Sequence, residues 1–235
     1  MKLAIMQPYF MPYIGYFQLI KAVDKFIIYD DVTYIKQGWI NRNQLLINGE
    51  ARKFTIPISN GSSNNLIKDV VISNMVFDKW KITFYKTLMS SYRRAPYYNN
   101  VLDLMDRIIN CSTNYISELA VHSIEETLKY LNISRDIVRS SEVYNNNNEL
   151  MSQNRVLDIC KKESAKTYIN PIGGQELYSQ EIFRHHGLEL FFIKTKEFKY
   201  QQFTNEFVPW LSIIDVLMFN SSEEINEMLD NYELI

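Results

Sequence analysis

The sequence predicts an α/β domain with a mainly parallel sheet and helices on both faces. Three observations point to it. Residues 2–6 and 26–29 are short apolar runs, the pattern of strands buried on both sides. Between them Ile14, Phe17, Leu19, Ile20 and Val23 recur at helical spacing, so residues 12–22 are expected to be helical, with Pro12 in the first turn. Strand–helix–strand with so short a connection is a βαβ unit, which implies parallel pairing. The same alternation returns late in the chain. There Tyr168-Ile169 reads as a strand, residues 171–174 as a tight turn, residues 177–186 as a helix stopped by Gly187, and residues 188–193 as a strand.

The remaining elements fill in around these units. Residues 45–47 and 53–58 read as a hairpin joined by Asn48-Gly49, the strongest short turn signal. A Gly/Ser/Asn loop over 60–65 and a short strand over 70–73 follow. Residues 77–135 form a mainly helical subregion inserted within one domain spanning 1–235, with helices over 77–88, 99–109 and 112–131. A return strand at 137–138, a surface loop over 145–148, a helix over 154–162, a helix or turn over 207–217 and a terminal helix over 223–231 complete the reading.

The chain has 235 residues, 46% of them hydrophobic and 22% charged, with a net charge of -2. No long basic run appears, so nucleic acid is not the expected partner. The two cysteines, Cys111 and Cys160, lie in helical patterns without a CxxC neighbour and read as buried reduced thiols, which fits a cytoplasmic protein. No apolar window is long enough for a membrane span, and the apolar start is too short for a signal peptide. The three histidines lack ligand spacing, so no metal site is expected.

Four groups could carry chemistry. The first is Gln7-Pro8-Tyr9-Phe10-Met11-Pro12-Tyr13-Ile14-Gly15-Tyr16-Phe17, where the first strand hands over to the first helix. Ligands of parallel sheets sit at such carboxyl ends, and a helix N-terminus offers free N–H groups to anions. Gln7, Tyr9, Tyr13, Gly15 and Tyr16 are therefore candidate binding residues. The spacing Tyr13-x-Gly15-Tyr16 parallels the His-x-Gly-His element of nucleotidylyltransferases. The expected topology is accordingly nucleotide-binding, of the HUP/nucleotidylyltransferase type, although tyrosines cannot supply the imidazolium chemistry. The second group follows the next strand. Asp30 or Asp31 is a candidate general base, the other pairing with Arg42 or capping the next segment. Tyr34, Trp39, Asn41, Arg42 and Asn43 are candidate binding residues, with Trp39 a flat face for a sugar or base and Arg42 a phosphate clamp. The third is the Gly173-Gly174 turn with Tyr178, where successive N–H groups could nest an anion. The fourth is 200–220, whose apolar members read as core and whose Ser212 and Asp215 are either a plain cap or part of a site. The expected site requires the polar tips of the first two strands to open into one cavity.

The stretches 7–17, 30–43, 168–183 and 200–220, together with Pro57, resemble the WbqC-like protein family over nearly the whole chain. Ser221-Ser222 departs from the resemblance, standing where the family pattern calls for a glycine. The resemblance implies a place in bacterial surface-polysaccharide biosynthesis, such as O-antigen of lipopolysaccharide. The activity it suggests is a transferase that N-acylates or aminoacylates a nucleotide-linked amino sugar, with an acyl-CoA or carrier-bound acyl group as donor. Two alternatives stand beside it: an ATP-dependent adenylate-forming or nucleotidylyl-transfer enzyme, and a non-enzymatic component of a glycan assembly complex. A homo-oligomer is left open.

Overall fold

The computed structural model describes residues 1–203 and 206–235. β1 (Lys2–Met6) leads into α1 (Ile14–Ala22), and β2 (Lys25–Ile28) follows. The helix starts two residues later than expected. Tyr13 is its extended N-cap, and the Pro12 carbonyl accepts the Ile213 N–H instead of opening the helix. β3 (Arg42–Ile47) and β4 (Glu50–Thr55) form the hairpin, with Asn48 and Gly49 both left-handed at φ 53° and 80°, as a two-residue primed turn requires. The hairpin begins three residues early, so Arg42 and Asn43 sit in a strand. Residues 70–73 form no strand and make only the isolated bridges Ile58–Ile72 and Val71–Tyr115.

Three helices follow: α2 (Asn74–Tyr92), α3 (Tyr98–Ile109) and α4 (Ile116–Tyr130). The first outruns its expected span at both ends and stops shortly before Pro96, which disfavours helix ahead of it. The last starts four residues late because the Thr113 hydroxyl holds the Tyr115 N–H in a turn. β5 (Asp136–Arg139), the short α5 (Ser140–Val143), α6 (Ser152–Lys162) and β6 (Thr167–Pro171) come next. Residues Asn145–Asn147 are a 3-10 turn rather than an open loop. A second 3-10 segment, Ile172–Leu177, replaces the expected tight turn, so α7 (Gln180–His185) begins only after Ser179 caps it. Gly187 then ends the helix at φ 71°, as predicted. β7 (Glu189–Thr195), α8 (Ile213–Phe219), α9 (Ser222–Leu229) and the unforeseen edge strand β8 (Tyr232–Leu234) complete the chain. Of the two cysteines, Cys160 is buried and Cys111 only half-buried.

The main sheet runs β5-β2-β1-β6-β7-β8, parallel throughout except for β8. Counted within this sheet alone, the strand order is 3-2-1-4-5-6, as in doubly wound α/β sheets. Side-chain alternation explains the two covered faces. Ala4, Phe26, Ile28, Ile169 and Ile193 point into one core with α1, α3, α4, α8 and α9. Leu3, Ile5, Ile27, Tyr168, Leu190 and Phe192 point into the other with α6 and α7. The chain winds outward from β1 on the first face and returns to β6 on the second, so it reverses between β1 and β6. No helix among the described residues is long and apolar enough to cross a membrane.

Ser221, expected to be a glycine on the resemblance, serves as a helix cap. Its hydroxyl accepts the Glu224 N–H while the Glu224 carboxylate accepts the Ser221 N–H, a complete capping box opening α9. Ser221→Ala should cost about 1 kcal/mol. The check is a urea melt in which the midpoint falls and the slope does not.

Candidate functional site

The carboxylates that follow β2 are spent on structure. Asp30 accepts the Ser141 N–H at 3.1 Å, the Ser141 hydroxyl at 2.8 Å and the Ser140 hydroxyl at 3.2 Å, and so caps α5. Asp31 accepts the Ser140 hydroxyl and pairs with Arg155, each at 2.5 Å. Both carboxylates are buried. They therefore meet at one hydroxyl, because the chain turns sharply after β2 and the alternation of an extended strand no longer holds. The expected partner Arg42 is not used: its Nε donates to the Gly38 carbonyl at 2.8 Å. Arg155 was missed by sequence reasoning, yet it carried a signal. It lies four residues before Ile159 on the buried face of α6, and a charge at a core position calls for an acid.

Most of the first and second motifs converge on the backbone of the segment after β1. The Met11 carbonyl accepts both the Asn43 amide and the Ser212 hydroxyl at 2.7 Å, and the Met11 N–H donates to Ser123. Met11 itself is left-handed at φ 45°. Tyr16 donates to the Gln7 carbonyl, and the Tyr9 ring stands 5.7 Å from that of Tyr16. Burial, with Tyr13 as a second contribution, pushes the Tyr9 phenol up to about 12. Tyr34 donates to Asn41, whose amide donates to the Ile56 carbonyl. Trp39 is 41% exposed and does not line the cavity beside Tyr13. Gly174 faces Asn170, and a Cβ there would lie 2.1 Å from the Asn170 amide nitrogen. A Cβ added at Gly173 would meet nothing within 4 Å, and Tyr178 packs edge-on to Tyr168 and Phe183.

The cavity lies at the carboxyl end of β7, beside the first turn of α1. It holds about 520 Å³, within the range of small-molecule sites. Tyr13 and Ile14 form one wall, residues 195–200 a second, and Phe207, Pro209, Trp210 and Leu211 a third. Of the individually named candidate site residues, Tyr13 alone lines it; Tyr200, Phe207, Pro209, Trp210, Leu211 and Val216 of the fourth group, read as core, line it as well. At the β1 and β2 tips the expected site residues Asp30, Asp31, Asn41, Arg42 and Asn43 are instead engaged in hydrogen bonds within the chain.

Gly15 sets the position of Tyr13: a Cβ at residue 15 would lie 2.4 Å from the tyrosine ring. That ring stands 6.0 Å from the indole of Trp210. Trp210 was expected in the core, but it is 66% exposed and left-handed at φ 61°, a backbone state rare for a bulky side chain. Lys196 and Lys199, both exposed, have no acidic partner among the described residues. Behind the cavity, fully buried Asp215 accepts Tyr92 at 2.9 Å, Tyr200 at 2.5 Å and Gln202 at 2.8 Å. Gln202 also exchanges two hydrogen bonds with the Val208 backbone, which draws the 200–208 segment together. Burial raises the Asp215 carboxyl in spite of these three donors. Burial, then the neighbouring Asp215 charge, hold the Tyr200 phenol far above its ordinary value.

The sequence signal that was overlooked is Lys196-Glu197-Phe198-Lys199-Tyr200. Charges and aromatics alternate there directly after a parallel strand, where such sheets bind ligands.

Comparison with known proteins is consistent across the chain. The sequence is 26% identical over 233 residues to "Uncharacterized protein Rv1507c" of Mycobacterium tuberculosis (strain ATCC 25618 / H37Rv), covering 97% of each chain. No solved structure matches it. The model of the WbqC-like protein family matches residues 7–227, and the chain belongs to that family.

Proposed function

We propose that the chain is a transferase of surface-glycan biosynthesis that binds a nucleotide-linked amino sugar in the Tyr13–Trp210 cavity and acylates its amine. The observation that carries this reading is Trp210, an exposed indole in a left-handed backbone lining a cavity that is also lined by the exposed Lys196 and Lys199. The Tyr13 and Trp210 rings, tilted against each other at 54° with centres 6.0 Å apart, form an aromatic wall that suits the flat face of a base or sugar. Lys196, Lys199 and the start of α1 suit a diphosphate. The doubly wound strand order supports a nucleotide at this sheet edge.

The base role passes in this reading from Asp30 and Asp31 to Glu197, the carboxylate lining the cavity. The sugar nitrogen attacks the acyl carbonyl carbon of a thioester, the C–S bond breaks with its electron pair leaving on sulfur, and Glu197 takes the proton from nitrogen. Asp30 and Asp31 keep the β2 end in place. The same strand order favours a second reading, ATP-dependent adenylate formation on a HUP-type sheet. Release of pyrophosphate from ATP with a candidate substrate distinguishes the two.

A thermal-shift series with UDP-, dTDP-, GDP- and CDP-sugars, coenzyme A and ATP tests the site. A ligand at 100 times its dissociation constant adds about 2.7 kcal/mol, a rise of roughly 5 to 10 °C in a chain of this size. Trp210→Ala, at an exposed position, should leave the unliganded melting temperature within about 2 °C and remove most of that rise. Equal shifts in wild type and Trp210→Ala would place the ligand elsewhere.

A further inference from the structure

α2 carries a face that the fold does not use. Across 19 residues it buries only Phe84, Leu88 and Tyr92, with Phe77 and Trp80 stacked beside them. At 100° per residue, Met75, Lys79, Ile82, Lys86, Met89 and Arg93 fall in one narrow stripe on the opposite side. All six are exposed, Met75 at 91% and Ile82 at 58%. Apolar and cationic residues alternate along the stripe. Asp78, the helix's one acid, sits at its flank and is paired with Lys81 at 2.8 Å. Lys79, Lys86 and Arg93 have no acidic partner among the described residues, in a chain whose net charge is -2.

We infer that this face seats the protein on an anionic membrane surface, with α2 lying in the plane of the lipid headgroups. The helix is about 28 Å long. Met and Ile can enter the acyl boundary while the lysine stems extend upward to phosphate. Charge complementarity selects the occupant. A protein partner would accept the methionines and Arg93 but calls for aromatic anchors and an interface core poor in charge, whereas cations take every second position of this stripe and no residue in it is aromatic. Nucleic acid would use the cations but leave Met75, Ile82 and Met89 without a role.

Co-sedimentation of the full chain with vesicles tests the inference. The protein should bind phosphatidylglycerol–phosphatidylcholine vesicles, release in high salt, and ignore phosphatidylcholine alone. Lys79→Gln with Lys86→Gln and Arg93→Gln should lower partitioning about a hundredfold, roughly fivefold for each cation removed. Ile82→Asn with Met89→Asn should lower it at least tenfold with charge unchanged. Circular dichroism confirms that both variants keep the fold, as exposed positions allow. Absence of vesicle binding, equal binding to neutral lipid, or wild-type binding by either variant overturns the inference. So does self-association through this face in sedimentation velocity, or binding to an anionic polymer that survives the Asn pair alongside vesicle binding that also survives it.

Discussion

Arg155→Met is expected to lower folding stability by about 3–5 kcal/mol, because it strands a buried carboxylate. The Arg155 guanidinium reaches Asp31 at 2.5 Å, Asn147 at 2.9 Å and Asn148 at 2.8 Å, and lies 5.0 Å from the ring centre of Tyr29. Burial works against its charge, but the hydrogen bond and attraction of Asp31 more than offset that and raise its pKa. With the guanidinium gone, Asp31 keeps only the shared Ser140 hydroxyl. Methionine fills the volume without supplying a donor, so the loss reports the stranded charge more than a void. The melting temperature should fall by roughly 6 to 20 °C. Adding Asp31→Leu to Arg155→Met should recover part of the loss, since replacing both members of a buried pair by apolar groups is commonly near neutral. A single-variant loss below about 1 kcal/mol, or a double variant no better than the single, would contradict this account of the pair.

That pair also shows where the sequence was legible and where it was not. β1 and the βαβ unit were readable because apolar run length and helical period are local properties, and both survive in the fold. The Asn48-Gly49 turn was readable for the same reason. The site was not local. Asp30 and Asp31 looked available because nothing near them in sequence occupies them, whereas Ser140, Ser141 and Arg155 come from more than 100 residues away. Asn43 and Ser212 were correctly marked as unusual polar residues, but their common partner is a main-chain carbonyl, Met11, which composition does not reveal. Trp210 was assigned to the core on side-chain type alone. Its left-handed backbone, set between Pro209 and the Ser212 cap of α8, turns the ring outward. Tyr13 was found because its position followed from the strand-to-helix handover, the one part of the cavity that rests on local geometry.

Asp215 links that cavity to the core, and its replacement should affect both. Asp215→Ala leaves three donors, from buried Tyr92 and Gln202 and half-buried Tyr200, without this acceptor. At about 1–3 kcal/mol for each stranded polar group, the loss should reach roughly 3–9 kcal/mol. The pH dependence separates the charge from the shape. Because burial raises the Asp215 pKa, the folded chain holds this proton at pH values where the unfolded chain, near 3.8, has released it. The folded state then binds more protons, so the contribution of Asp215 to stability is greatest below the unfolded value and is lost as pH rises through the folded one. Asp215→Asn fixes a neutral side chain of the same shape. Its stability relative to wild type should therefore climb as pH rises above about 3.8 and level off once the native carboxyl has ionised. Urea melts of both proteins at matched pH values measure that difference, and a flat line would mean that the buried carboxyl does not titrate differently on folding. The ligand response should follow the geometry of the wall. Tyr200 and Gln202 hang on Asp215, and Gln202 draws in the backbone of Val208 two residues before Trp210. Asn can keep part of that network, while Ala cannot. Where Asp215→Asn retains the nucleotide-sugar thermal shift and Asp215→Ala loses it at a temperature at which both remain folded, the buried acid is acting as the support on which the binding wall is built.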